Sequence, residues 1–198
     1  KDKDMKFKKK EKEESDNIED GEGYEGATVF EPEVGAHFEP VSVLDYNSLY
    51  PNSMRHKNMS HETLVDDPKY DNLPNYYYEK SEYLTKTGEI KSCKFARAKD
   101  GSVGILPEIL TELLDARADT RRQQANEKNP FKWKILEGLQ LAYKVTANSL
   151  YGQCGAPTSP IYKKDIAAST TSTGREMLNA SRILVEVILP VLAKSAMK

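Results

Sequence analysis

Asp45-Tyr46-Asn47-Ser48-Leu49-Tyr50-Pro51 is the stretch from which the rest of the chain can be read. It follows Val41-Ser42-Val43-Leu44, and this β-branched, apolar run predicts a buried strand over residues 41–46. Pro51 stands where the first turn of a helix tolerates a missing N–H. A strand giving way to a helix would deliver the Asp45 carboxylate at the strand end. The turn at Ser48, Leu49 and Tyr50 would then present backbone N–H groups near a helix N-terminus, a natural cradle for phosphate. Magnesium takes carboxylate oxygens and shares them with substrate phosphates, so Asp45 is a candidate metal ligand. An ordinary helix cap is the alternative role for it.

A second stretch, Lys144-Val145-Thr146-Ala147-Asn148-Ser149-Leu150-Tyr151-Gly152, lies further along the chain. Upstream of it, Gly104-Ile105-Leu106-Pro107 predicts a helix start, and Ile109, Leu110, Leu113 and Leu114 supply a buried stripe as far as about residue 125. Asn129-Pro130 is a cap and first-turn pair for a second helix, which carries Trp133, Leu136, Leu139, Tyr143 and Leu150 and stops near Gly152. Two helices joined by a few polar residues predict an antiparallel hairpin. Arg117 and Arg121 share one face of the first helix; Lys144, Asn148 and Tyr151 share one face of the second. Packed together, they would line one groove with three cations, an amide and a phenol. Charge-assisted contacts of this kind hold a triphosphate. The competing reading is a solvated basic stripe paired with Glu108, Glu112 and Asp115. A glycine beside Tyr151 also lets a backbone or a base pair approach closely.

The remaining sequence sets bounds. A chain of 198 residues suits one or two domains with a modest core. Its formal net charge of −2 announces no global basic field. Cys93 and Cys154, with His37, His56 and His61, match no metal-ligand spacing, and a reduced intracellular compartment is the simplest reading. No apolar run is long enough to span a membrane. Residues 1–23 mix Lys, Glu and Asp, predicting a disordered linker or surface insertion, with a basic nucleic-acid arm as the alternative. Residues 24–30 read as a turn and short strand, and Gly35 marks a turn. Residues 62–103 are polar and tyrosine-rich; Tyr76-Tyr77-Tyr78 would pack on a small sheet or stack on bases. A last helix is expected from about Asp165, kinked or ended at Pro190. The chain starts at Lys1 rather than Met and ends at Lys198, just past an apolar run, so the expectation is a piece of a larger protein. No Gly-x-x-x-x-Gly-Lys-Ser/Thr run is present, which argues against an unrelated ATP- or GTP-binding protein.

Tyr24-Glu25-Gly26-Ala27, then residues 45–51, then Gly104-Ile105-Leu106-Pro107, then residues 144–152 stand in the order seen in family B DNA polymerases. The chain resembles the palm and fingers of a replicative, delta-type enzyme, in particular those of large double-stranded DNA viruses. Family A enzymes carry a Glu in the first motif that is absent here. The resemblance implies an α+β fold, with a partial palm of small antiparallel sheet and packed helices plus a two-helix fingers hairpin. The implied divisions are a linker over 1–23, palm over 24–103, fingers over 104–152 and a truncated return to the palm over 153–198.

The same resemblance implies template-directed DNA synthesis by two magnesium ions, with primer-template DNA and dNTP as partners. A sliding clamp would be reached through parts outside this chain. Asp45 would be catalytic and a metal ligand, joined by the Tyr46 carbonyl. Ser48 and Leu49 would contact the triphosphate, and Tyr50 would exclude a 2′-hydroxyl. Arg117, Arg121 and Lys144 would grip phosphate, and Asn148 would order the nucleotide. Tyr151 and Gly152 would border the nascent base pair, with Tyr24 and Gly26 along the template path. The implied location is intracellular, in the nucleus or at a cytoplasmic viral replication site. Three departures stand out. Asn52 replaces the usual Ser, Arg121 replaces a frequent Lys, and no Tyr-Gly-Asp-Thr-Asp hairpin supplies a second catalytic Asp. The fragment is therefore expected to be inactive alone. A non-catalytic nucleic-acid-binding or scaffold module derived from a polymerase is the alternative.

Overall fold

The computed structural model describes residues 23–196. The expected linker over residues 1–23 lies, apart from Gly23, outside the described residues. Helix α1 spans Leu49–His56, strands β1 and β2 span Tyr76–Leu84 and Ile90–Ala98, and the helical hairpin consists of α2 (Ile105–Asn126) and α3 (Pro130–Gly155). Helix α4 (Lys164–Ile183) continues through a π-turn at Leu184–Ile188 into α5 (Leu189–Ala196).

The tyrosine-rich segment forms an antiparallel hairpin, in register from Tyr76↔Ala98 to Leu84↔Ile90. Its turn is closed by Thr85, whose N–H reaches the Glu89 carbonyl at 2.9 Å, and by Gly88 at φ 88°, a conformation that L side chains avoid. The buried face of β1 carries Ser81 and Tyr83, and the hairpin seats on α4. There the Tyr83 hydroxyl donates to Asp165 at 2.7 Å and Ser172 donates to the Glu82 carbonyl at 2.6 Å. Of the tyrosine triplet, Tyr78 is tied into the loop, donating to the Tyr70 carbonyl and accepting from the Leu73 N–H. Tyr77 lies under the Lys99 ammonium, and Tyr76 is exposed.

Met54, Met59, Phe95, Leu110, Ala147, Cys154, Ile166 and Ala167 form the core between α1, the hairpin and α4. The buried stretch of α4 is largely hydroxylic. Thr170, Thr171 and Thr173 each return their hydroxyl to the carbonyl four residues back, at 2.7–2.9 Å. These bonds let polar residues be buried without an unsatisfied group.

The start of α2 is capped from a distance. Its N-cap is Gly104, which has no side chain to offer. Asn58 Oδ1 accepts from the Gly104 N–H at 2.8 Å, Ser60 Oγ accepts from the Leu106 N–H at 3.2 Å, and Glu62 accepts from the Ile105 N–H. Helix α3 begins as expected: Asn129 accepts from the N–H groups of Phe131 and Lys132, with Pro130 in the first turn. It runs to Gly155 rather than stopping near Gly152. Pro190 neither ends nor sharply breaks the last helix. It sits in the first turn of α5, just after the π-turn that absorbs its missing N–H.

The strand expected over residues 41–46 does not form. These residues have no ladder partner among the described residues, and Val41, Val43 and Leu44 are 71%, 86% and 77% exposed. A strand persists only when its N–H and C=O rows are paired and a face is covered, and neither condition is met here. Asp45 therefore leaves an extended segment rather than a sheet. Residues 24–30 likewise make only an isolated bridge, Tyr24↔Thr85. No described helix is long and apolar enough to cross a membrane.

Candidate functional site

The N-cap of helix α1 is Ser48, which holds φ 50° and ψ 55° in the left-handed region. A non-glycine residue there costs about 1–2 kcal/mol, which the surroundings must compensate. The benefit is an abrupt start: the Asn52 N–H reaches the Ser48 carbonyl at 3.0 Å, and Pro51 has no N–H to place. The N–H groups of Leu49 and Tyr50 have no acceptor among the described residues. They point out of the positive end of a helix. Asn52 steadies the turn by donating to the Asn47 carbonyl at 2.9 Å and accepting from Arg55 at 3.1 Å.

A cleft of about 390 Å³ opens at this point, lined by Asp45, Tyr46, Asn47, Ser48, Leu49, Tyr50, Arg117, Lys144 and Asn148. The two sequence motifs thus meet on one cavity, with the helical hairpin as the opposite wall. Arg117 donates to Ser48 Oγ at 3.4 Å and to Gln140 Oε1 at 3.3 Å, which ties the hairpin to the start of α1. Among the described residues no carboxylate pairs with Arg117, Arg121 or Lys144. The competing reading, a basic stripe paired with Glu108, Glu112 and Asp115, thus finds no such pair among the described residues, and no carboxylate there neutralises this charge.

Other expected residues fall differently. Arg121 is not on the cleft. It lines an adjoining recess with Asn47, Asn52, Arg55 and Arg117, because a four-residue step on a helix turns about 40° past the preceding side chain. Tyr151 stacks behind Tyr50, with ring centroids 4.4 Å apart. Gly152 is exposed and faces open space. The Tyr46 side chain turns away to α4, donating to the Met177 carbonyl at 3.2 Å and meeting Ser181 Oγ. Burial, then the neighbouring Tyr151 phenol, push the Tyr24 hydroxyl well above its usual range. Burial and Tyr151 also raise Tyr50, against the lowering influence of Arg175.

Arg175 went unnoticed in the sequence. It donates to the carbonyls of Glu25 and Gly26, both at 2.7 Å, and pairs with the Glu25 carboxylate at 3.3 Å. It thereby fixes the Tyr24-Glu25-Gly26 segment beside Tyr50 and Tyr151. Gln140 and Asn47 were missed as well; neutral amides carry no charge or spacing signal.

Asp45 offers an exposed carboxylate at the rim of the cleft, and no group of three His, Cys, Asp or Glu side chains that could hold a metal exists among the described residues. One carboxylate beside a helix start with open N–H groups fits part of a magnesium shell, the rest of which is commonly phosphate oxygen and water. A larger cavity of about 700 Å³ lies at the other end of α1, lined by Arg55, His56, Lys57, Pro107, Glu176 and Met177 among others. Its cations are committed, Arg55 to Thr111 at 2.9 Å and Lys57 to Glu176 at 3.7 Å. A helix C-terminus also disfavours anions. The smaller cleft, whose cations meet no carboxylate among the described residues, is therefore the better candidate for a phosphate.

The family model for DNA polymerase family B matches residues 3–197. A DNA polymerase of Pyramimonas orientalis virus is 40% identical across 85% of this chain and 18% of its own length. The DNA polymerase delta catalytic subunit of Caenorhabditis elegans is 39% identical across 87% of this chain and 15% of its own. A solved family B DNA polymerase from Pyrobaculum calidifontis superimposes with a TM-score of 0.63 at 29% identity, covering 82% of this chain and 20% of that one. The chain thus spans about a fifth or less of the length of these relatives.

Proposed function

The chain belongs to DNA polymerase family B, and we propose that it supplies the nucleotide-binding part of a template-directed DNA polymerase. One observation carries this reading. The open N–H groups of α1 border the same cleft as Arg117, Lys144 and Asn148, with Asp45 at its rim and no carboxylate among the described residues neutralising the cations.

The substrates are a primer-template DNA and a deoxynucleoside triphosphate. The helical hairpin acts as fingers and the rest as part of a palm, with the boundaries drawn from the sequence. Lys144 and Arg117 take the phosphate charge, and the N–H groups of Leu49 and Tyr50 hold a phosphate oxygen each. Arg121, from its recess, meets phosphate when the fingers tilt inward, as induced-fit lids do. Asn148 orients the nucleotide. Tyr50 lies under the sugar and excludes a 2′-hydroxyl, while Tyr151 and Gly152 border the base pair. Tyr24 and Gly26, braced by Arg175, line the template path.

Asp45 and the Tyr46 carbonyl would hold magnesium. When bound, the metal supplies charge stabilisation at the transferring phosphoryl group and a lowered pKa for the primer 3′-hydroxyl. Asp45 contributes its fixed charge and orientation, and the remaining carboxylate comes from outside the described residues. A clamp partner and an intracellular location follow from the same reading.

Primer extension by the full-length polymerase carrying Asp45→Asn tests it. Incorporation should fall about a hundredfold or more. A rate within twofold of wild type would favour a scaffold module.

A further inference from the structure

The phenol ring of Tyr50 makes two close contacts. The Tyr151 ring lies against it, tilted 38° at 4.4 Å between centroids. The bare Cα of Gly174, within α4, approaches the same ring. A Cβ there would stand 2.8 Å from Tyr50 Cε1, 3.4 Å from Cδ1 and 3.5 Å from Leu49 Cδ2. Gly174 occupies ordinary helical backbone, where alanine would be favoured by about 0.5–1 kcal/mol. Conformational freedom therefore does not account for this glycine, whereas close approach of the Tyr50 ring does. One turn earlier, Thr171 meets the Tyr151 hydroxyl at 2.9 Å and donates to the Ala167 carbonyl at 2.9 Å. The threonine is only 2% exposed, so its position is fixed by packing. Helix α4 thus sets both contacts of the Tyr50 ring, one directly and one through Tyr151.

We propose that Gly174 and Thr171 are positioning residues that set the sugar selectivity of the nucleotide cleft through Tyr50. This rests on the reading of Tyr50 as the residue under the sugar. A methyl at position 174 drives the ring away from α4 and towards the cleft, leaving less room at the sugar 2′ position. Loss of the hydroxyl at position 171 releases Tyr151 and lets the Tyr50 ring yield.

The test measures kcat/KM for a deoxynucleotide and the matching ribonucleotide in the full-length polymerase. Tyr50→Ala is the reference and should admit ribonucleotides. Gly174→Ala should raise the deoxy-to-ribo ratio about tenfold, the effect of one methyl-sized change in a fitted pocket. Thr171→Val, similar in volume, should lower it several-fold. Neither shift should survive in a Tyr50→Ala background. A merely structural role would change both nucleotides equally and leave the ratio alone, and that result overturns the proposal. If Tyr50→Ala itself leaves discrimination unchanged, the reading of Tyr50 fails and takes the proposal with it. If Gly174→Ala does not fold, the sign of the Thr171→Val shift decides.

Discussion

Replacing Asn58 by alanine should be among the costliest single changes in this chain. Asn58 is 1% exposed and sits at φ 53°, a left-handed conformation that asparagine tolerates better than alanine. Its amide donates to the Ala96 carbonyl on β2 at 2.7 Å, and its side-chain oxygen accepts from the Gly104 N–H at 2.8 Å. It therefore joins the end of α1, the edge of β2 and the first turn of α2. Alanine leaves a carbonyl and a buried N–H without partners. At about 1–3 kcal/mol for each, the expected loss is about 2–6 kcal/mol. Asn58→Asp keeps the acceptor for Gly104 but buries a carboxylate oxygen against the Ala96 carbonyl, and should cost at least as much. Urea unfolding followed by circular dichroism at 222 nm reads both variants. Because α2 carries Arg117 away from this anchor, a loosened start should also weaken nucleotide binding. A loss below about 0.5 kcal/mol for Asn58→Ala, the level of an ordinary surface change, would refute the clamp.

Two other outcomes depend on pH. Burial pushes the Cys154 thiol up to about 11, so it stays protonated at pH 8. Alkylation there should be slow in the native chain and fast in urea. Its raised folded pKa contributes stability that is present below the ordinary value of 9.0 and lost as pH rises through the folded value. For Glu62, partial burial works upward, but bonds from the Ile105 N–H and the Ser60 hydroxyl outweigh it and hold the carboxyl below its ordinary 4.5. A depressed pKa contributes stability above the unfolded value that is lost as pH falls through the folded one. Glu62→Gln should therefore lower Tm at pH 7 and flatten its decline below about pH 4.5. An unchanged acid limb would count against the Glu62 cap on α2.

The helices were legible where local chemistry decides. Asn129-Pro130 announced α3, and the leucine spacing announced α2, because caps and stripes act within a few residues. The strand over residues 41–46 misled because pairing is non-local: its pattern is right, but the described chain offers it no partner. The core run of residues 166–174 was missed because its burial is written in Ser and Thr, residues that usually mark surface. In the site, the positions of Asp45, Arg117, Lys144 and Asn148 followed from order and helical spacing. Arg121 did not, since helical drift carried it into the next recess. Gly174 and Arg175 act across 124 and 150 positions of sequence, on Tyr50 and Glu25, and no local pattern signals that.

The central claim is that the cleft between α1 and the helical hairpin holds a triphosphate. Single-turnover incorporation by the full-length polymerase, with nucleotide concentration varied, gives the Kd for dNTP in wild type, Lys144→Ala and Arg117→Ala. Loss of a charge-assisted phosphate contact should raise Kd about 10- to 100-fold in each variant. An unchanged Kd in both would contradict the account.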